Sequence, residues 1–112
     1  MISLYGPGFV GGRFAKMYES IVDIQNRDER IPRSKEILYF ISTTHNYHVH
    51  DDITRDVDTN LKILCETLDY CRSKDIVFNF ISSWFVYGKD GYMPAKEDSK
   101  LNPTGFYSIT KR

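Results

Sequence analysis

The stretch ISLYGPGFVGGRF, from Ile2 to Phe14, passes from an apolar, β-prone run through a glycine turn into a helical pattern. Gly6, Gly8 and Gly11 have the spacing G-x-G-x-x-G directly after the predicted strand and directly before the predicted helix. Gly6 permits the tight turn, Gly8 leaves room for a pyrophosphate, and Gly11 lets the helix approach the strand. The alternative is a glycine turn that only reverses the chain.

The rest of the chain alternates apolar runs with helical or polar connections. Further strands are predicted at 20–25, 36–43 and 75–83, a long helix at 53–72 with Asp52 as its N-cap, and a last helix from Phe106. This alternation predicts an α/β fold, a Rossmann-like parallel sheet of about four strands with flanking helices. With strand 2 on one side of strand 1 and strands 3 and 4 on the other, the loops GPGFVG and STTHN would flank one crevice.

The long helix carries apolar residues at spacings of three and four, which predicts one face buried against the sheet. These residues are Ile53, Val57, Leu61, Leu64, Cys65, Leu68 and Cys71. The two cysteines stand six residues apart, which is neither a close-paired redox spacing nor a metal-ligand spacing, so we expect reduced packing thiols.

Composition excludes several classes of protein. The 112 residues include 15 basic and 15 acidic ones, a formal net charge of zero, so no basic field is available for nucleic acid or an anionic membrane surface. The longest apolar runs are far too short for a membrane span. The sequence therefore predicts a cytoplasmic protein of one domain, with no nucleic acid and no membrane among its partners.

The end of the second strand offers two ways to bind an adenosine ribose. Asp23 would accept hydrogen bonds from both ribose hydroxyls and favour NAD, whereas Arg27, backed by Arg30 and Arg33, would bind the 2′-phosphate of NADP. A third interpretation makes all of these residues solvated loop charges. The dinucleotide therefore remains NAD or NADP.

The closing stretch combines a tyrosine, a lysine and a serine strand end. Tyr107 and Lys111 stand four residues apart and so on one helical face, where the ammonium can stabilise the phenolate and make Tyr107 a usable acid or base. Ser83 ends the last strand and would hydrogen-bond a substrate oxygen. An ordinary surface helix is the alternative for the tyrosine and lysine.

Together these segments resemble the extended short-chain dehydrogenase/reductase family, in its branch of NAD-dependent nucleotide-sugar epimerases and dehydratases. The matching segments are GPGFVGGRF, EILYFIST, DVDTNLKILCETLDYC with Asn60, FISSWFVYG and LNPTGFYSITK. The resemblance implies that Tyr107 is the general acid/base, that Lys111 holds the nicotinamide ribose, and that Ser83 binds the reacting oxygen. The implied cofactor-binding residues are Gly6, Gly8, Phe9, Val10, Gly11, Asp23, Arg27, Ser42, Thr43 and Lys111.

The resemblance also implies a nucleotide-sugar substrate and allows a homodimer. On this view residues 1–112 are an incomplete NAD(P)-binding domain, truncated at the C-terminus, without the C-terminal substrate-binding lobe. We then expect the last turn to fray and the chain alone to be catalytically inactive. The alternative from a different class is a non-catalytic dinucleotide-binding or interaction module.

Three features depart from the family pattern. Tyr5 stands where the family has its first glycine, and the sequence between Gly11 and residue 36 has room for only one strand and a loop, so a strand and a helix are missing. Trp84 and Phe85 replace the acidic pair of the sugar 4,6-dehydratases, which disfavours dehydration. For this aromatic pair, packing is favoured over substrate stacking.

The stretch HNYHVHDD contains His45, His48 and His50, followed by Asp51 and Asp52. Two histidines two residues apart on an extended segment can share a metal. Contact with substrate or cofactor and a solvated loop are the other interpretations. Because the family needs no metal, none is predicted.

Overall fold

The computed structural model of the chain describes residues 1–44, 51–89 and 94–112. Among these residues, four strands form one parallel sheet: β1 (Ile2–Tyr5), β2 (Val22–Gln25), β3 (Glu36–Tyr39) and β4 (Val77–Phe80). The strand order is β2-β1-β3-β4. The predicted parallel α/β sheet, with strand 2 on one side of strand 1 and strands 3 and 4 on the other, is confirmed.

The helices are α1 (Phe9–Met17), α2 (Ile63–Cys71) and α3 (Phe106–Thr110), and a 3₁₀ helix covers Trp84–Tyr87. A π-helical turn, Val57–Lys62, runs directly into α2, so the predicted long helix has two parts. The Asp52 carboxylate accepts hydrogen bonds from the Thr54 amide (3.0 Å) and hydroxyl (2.8 Å) within a turn that precedes the helical segment. The N-cap of that segment is Asp56, so the predicted N-cap at Asp52 is wrong.

The core lies on both faces of the sheet, because successive residues of β1 and β3 point to opposite faces. On one face the buried residues Leu4, Ala15 and Val22 bring α1 against the sheet. On the other face a second cluster packs against α2 and β4; it comprises Tyr5, Ile37, Tyr39 and Ile41, with Ile63, Leu64, Cys71, Ile76, Phe78 and Phe80 around it.

The predicted buried face of the long helix is partly wrong. Leu64 and Cys71 pack against the core, but four of the predicted residues are exposed: Ile53, Val57, Cys65 and Leu68. Three polar residues are buried in their place: Asp56, Asn60 and Thr67. The π-helical turn explains part of this difference, because its wider turn shifts the phase of every later residue relative to a 3.6-residue period.

The connection from β2 to β3 contains neither a helix nor a strand. It is held by ion pairs: Arg33 contacts Asp23 (3.1 Å) and Glu29 (2.7 Å), and Arg30 contacts Glu66 of α2 (2.7 Å). The contact with Glu66 shows that this crossover loop lies on the same face of the sheet as α2. The missing strand and helix predicted from the sequence are thus replaced by a loop anchored by two arginines.

Ile37 should carry a large share of the stability of this sheet, because its side chain is 0% exposed within the second core cluster. We expect Ile37→Ala to lower the free energy of unfolding by about 2–5 kcal/mol through lost burial and a residual cavity. Urea unfolding monitored by circular dichroism measures this change.

Val77→Ala is the matched control, since Val77 lies on the neighbouring strand with 60% of its surface exposed. It should cost about 0.5 kcal/mol or less. Equal effects of the two substitutions would contradict the placement of the core.

Candidate active site

A crevice of about 690 Å³ opens at the carboxyl ends of the strands. Its walls come from the glycine turn after β1, the exits of β3 and β4, and α3, with Arg27 and Thr59. They comprise Gly6, Pro7, Gly8, Phe9, Val10, Gly11, Arg27, Phe40, Ile41, Ser42, Thr43, Thr44, Thr59, Ile81, Ser82, Tyr107 and Lys111. The crevice lies between β1 and β3, where the strand order reverses, and this is the usual ligand position in open α/β sheets.

The glycine turn is shaped by two close approaches. Gly6 has a φ of 82°, and a Cβ there would lie 2.7 Å from the backbone nitrogen of Ile41. A Cβ on Gly11 would collide with the carbonyl oxygen of Gly6, so α1 can reach the strand end only without a side chain at this position. A Cβ on Gly8, by contrast, would meet no protein atom within 4 Å. The turn is therefore tight toward the protein and open toward the crevice.

The first turn of α1 faces the crevice without a side-chain cap. Gly8 is the N-cap, and among the described residues no side chain caps this end of the helix. The first N–H groups of a helix have no acceptor within the helix, so an anion can accept from them here. Phe9 and Val10 belong to this turn and expose 94% and 62% of their surfaces.

The two predicted ribose-binding residues have different positions. Asp23 lies within β2 and does not line the crevice; its carboxylate accepts hydrogen bonds from Arg33 (3.1 Å) and from the Gln25 side-chain amide (3.1 Å). Arg27 lines the crevice. Arg30 and Arg33, which the sequence placed behind Arg27, are both engaged with carboxylates.

A buried polar network connects the exit of β3 to α3. Asn60, 1% exposed, accepts from the Thr43 amide (2.8 Å) and donates to the Thr110 hydroxyl (2.9 Å). The Thr43 hydroxyl donates to Asp56 (2.6 Å), and the Thr110 hydroxyl donates to the Tyr107 carbonyl (2.8 Å). The network therefore fixes the crevice wall at Thr43 relative to the helix that carries Tyr107.

Tyr107 and Lys111 both line the crevice. Lys111 is 3% exposed, its ammonium lies 4.4 Å from the centre of the Phe80 ring, and its carbonyl accepts from the Ser82 hydroxyl at 2.8 Å. Burial lowers the pKa of Lys111 to about 8. Fraying of the last turn stays a prediction; in the structure the Lys111 side chain is enclosed.

Ser82, which the sequence did not single out, lines the crevice, whereas Ser83 does not. The Ser83 hydroxyl accepts from the Phe85 amide at 3.3 Å and caps the 3₁₀ helix. The Phe85 ring meets the Tyr107 ring edge-on, with centroids 6.0 Å apart. Ser83 is thus one residue from the crevice wall, and its role in binding the reacting oxygen stays a prediction.

Asp56 and Thr110 belong to the polar network of the site, but the sequence motifs did not indicate them. The available signal was the pair of polar residues, Asp56 and Asn60, one turn apart in a helix whose pattern is otherwise apolar. The histidines of HNYHVHDD lie outside the described residues, and within the described ranges no three His, Cys, Asp or Glu side chains are grouped so as to hold a metal. No described helix is both long enough and apolar enough to cross a membrane.

Residues 21–112 match the family model for the NAD-dependent epimerase/dehydratase family. The chain belongs to this family. The match covers most of the sheet and all of the segment that carries Tyr107 and Lys111, so it agrees with the resemblance that the motifs indicated. No curated protein matches this chain significantly.

Two solved structures share the fold. RMD from Pseudomonas aeruginosa, solved in complex with NADPH, has a TM-score of 0.77 and 19% identity over 98% of this chain and 44% of that one. TunA, an NAD-dependent NDP-hexosamine 5,6-dehydratase involved in tunicamycin biosynthesis, has a TM-score of 0.78 and 20% identity over 98% of this chain and 46% of that one. The present chain therefore spans less than half the length of these two proteins.

Burial of Lys111 should make stability depend on pH in a defined window. Its pKa falls from an ordinary 10.5 to about 8 on folding, so between these values the unfolded chain binds the proton and the folded chain does not. Lys111 should therefore raise the free energy of unfolding progressively as pH rises from about 8 toward 10.5. Lys111→Met removes this contribution, and urea unfolding at pH 8 and pH 10 of both proteins measures the difference.

Lys100→Met is the control, because Lys100 is exposed. It should leave the pH dependence of the wild-type protein unchanged. A wild-type protein and a Lys111→Met variant with parallel pH profiles would show that Lys111 is solvated when folded.

Proposed function

We propose that this chain forms the cofactor-binding part and the Ser-Tyr-Lys site of an NAD(P)-dependent nucleotide-sugar epimerase or reductase, with Ser83, Tyr107 and Lys111 as the site. One observation carries the proposal: a single crevice is lined both by the glycine turn and by Tyr107 and Lys111. A phosphate-binding turn and an acid/base tyrosine in one crevice are what hydride transfer to a bound dinucleotide requires.

The residues of the crevice fit a dinucleotide. The open side of Gly8 and the uncapped amides of α1 would hold the pyrophosphate, and Ser42 and Thr43 would line the nicotinamide end at the exit of β3. Lys111 would hold the nicotinamide ribose. The bound cofactor supplies the hydride acceptor; the chain supplies orientation and proton transfer.

The charges around the crevice support NADP over NAD. Arg27 lines the crevice, whereas Asp23 is engaged by Arg33. A guanidinium suits a 2′-phosphate because it binds phosphate oxygens in a forked geometry.

In catalysis Tyr107 would take the proton of the sugar hydroxyl as the hydride leaves the sugar carbon, and would return it on reduction. Lys111, enclosed beside Phe80, would act as the cation next to the phenolate. The Ser83 hydroxyl accepts a hydrogen bond from the Phe85 amide, and its own O–H group would be the donor to the reacting oxygen.

A non-catalytic dinucleotide-binding module is the second candidate. It is favoured by Ser83, which does not line the crevice. The two candidates share cofactor binding and differ in the need for Tyr107.

Gly8→Val should abolish room for the pyrophosphate without straining the protein, because a Cβ at Gly8 contacts no protein atom within 4 Å. We expect the affinity for NADPH to fall by about 10-fold or more. Calorimetric titration with NADPH and NADH measures this loss and also shows which dinucleotide is preferred.

Gly105→Val is the control, since a Cβ there also meets only one atom, the Ser108 hydroxyl at 3.8 Å, and Gly105 does not line the crevice. Its affinity should equal that of the wild-type protein. Unchanged NADPH affinity in Gly8→Val would contradict the proposed phosphate-binding turn. Tighter binding of NADH than of NADPH would contradict the proposed role of Arg27.

Tyr107→Phe separates the two candidate functions. In any preparation that converts a nucleotide sugar, the variant should lose about 10²- to 10⁴-fold in rate because the group that transfers the proton is gone. NADPH affinity should remain, since the ring is retained. A variant with wild-type turnover would exclude Tyr107 as the acid/base.

A further inference from the structure

Trp84 and Phe85 form a stacked aromatic pair in the 3₁₀ helix after β4. Their ring centroids lie 4.3 Å apart, with 22° between the planes. Trp84 is the only tryptophan of the chain and 64% of its surface is exposed. The Trp84 indole rests on Phe85 and is otherwise mostly open to solvent, so packing and substrate stacking both stay predictions for this residue.

The pair adjoins the crevice through the tyrosine. The Phe85 ring contacts the edge of the Tyr107 ring, and the two residues before Ser83, Ile81 and Ser82, line the crevice wall. Trp84 itself does not line the crevice, so a molecule that contacts both Tyr107 and Trp84 must extend beyond it.

The backbone beneath the pair is fixed. The Ser83 hydroxyl accepts from the Phe85 amide, and the Ser83 carbonyl accepts from the Val86 amide at 3.2 Å. Val86 is 7% exposed, and its carbonyl accepts from the Asn102 amide at 3.0 Å. A rigid, exposed aromatic ring binds a ligand with little loss of conformational entropy.

We propose that the exposed indole of Trp84 binds the apolar face of the pyranose ring of the nucleotide sugar. This inference rests on the proposed function, which puts the reacting sugar carbon beside the Tyr107 hydroxyl. The C–H bonds on one face of a pyranose form an apolar surface that can lie against an aromatic ring.

The pyranose ring is a better ligand for Trp84 than the cofactor phosphates or the nucleotide part of the substrate. β4 lies two strands from β1, a lateral separation of about 10 Å, so the phosphates of the dinucleotide on the glycine turn are remote from Trp84. The substrate's own base is separated from its sugar by a diphosphate, and the stacked pair offers that diphosphate no cation. The pyranose is the part that Tyr107 and Trp84 would share.

Because Trp84 is the only tryptophan, its fluorescence reports this surface alone. The purified chain, saturated with NADP⁺, is titrated with UDP-glucose and with GDP-mannose, and in parallel with UDP and with GDP. We expect at least one nucleotide sugar to change the emission of Trp84 and its nucleoside diphosphate alone to leave it unchanged. By equilibrium dialysis, Trp84→Ala should bind that nucleotide sugar about 3- to 10-fold more weakly, and Trp84→Phe should retain most of the affinity.

Tyr18→Ala is the control, because Tyr18 is likewise an exposed aromatic residue beside a phenylalanine, with its ring tilted by 41° to that of Phe14, but does not line the crevice. Its sugar affinity should equal that of the wild-type protein. Failure of NADP⁺ itself to bind would count against the proposed function. Binding of NADP⁺ with no binding of either nucleotide sugar, with an equal response to the nucleoside diphosphate, or with unchanged sugar affinity in Trp84→Ala would overturn the role of Trp84.

Discussion

The contact between Gly11 and the carbonyl of Gly6 is the constraint on which the site depends. It brings the first turn of α1 onto the carboxyl end of β1, and no residue with a Cβ could occupy position 11 at this distance. The positive φ of Gly6 turns the chain sharply enough for this approach. Gly8 then stands at the open side of the turn, and the crevice between β1 and β3 acquires its phosphate-facing wall.

The second wall is held by hydrogen bonds instead of apolar packing. Asn60 uses both its side-chain carbonyl and its side-chain amide to connect Thr43 to Thr110, and Asp56 accepts a hydrogen bond from the Thr43 hydroxyl. Such bonds fix distance and direction, whereas an apolar contact tolerates sliding. The second oxygen of Asp56 has no partner among the described residues, so the network is incompletely satisfied at that atom. The π-helical turn between Asp56 and α2 matches the common occurrence of such turns at functional sites.

The sheet and the glycine turn could be predicted from the sequence because both follow from local pattern. Alternating strands and connections leave few topologies, and the glycine spacing has meaning only in its strand-turn-helix context. The buried face of the long helix could not be predicted, since a hydrophobic period of 3.6 residues assumes a regular helix and apolar partners. The position of Asp23 near the end of an apolar run makes it a candidate ribose ligand, but its pairing with Arg33, ten residues away, depends on how the crossover loop folds back. The difference between Ser82 and Ser83 depends on where the strand ends, which pattern defines only to within a residue or two.

The crossover loop between β2 and β3 has an electrostatic attachment rather than a hydrophobic one. Its arginines contact Asp23, Glu29 and Glu66 through side chains that are partly exposed, and such pairs are screened when mobile ions are abundant. The sheet beneath it is held by buried apolar side chains, which ions do not screen. The ion pairs of this loop should therefore weaken as ionic strength rises, whereas the packing of the strands and of the glycine turn should not.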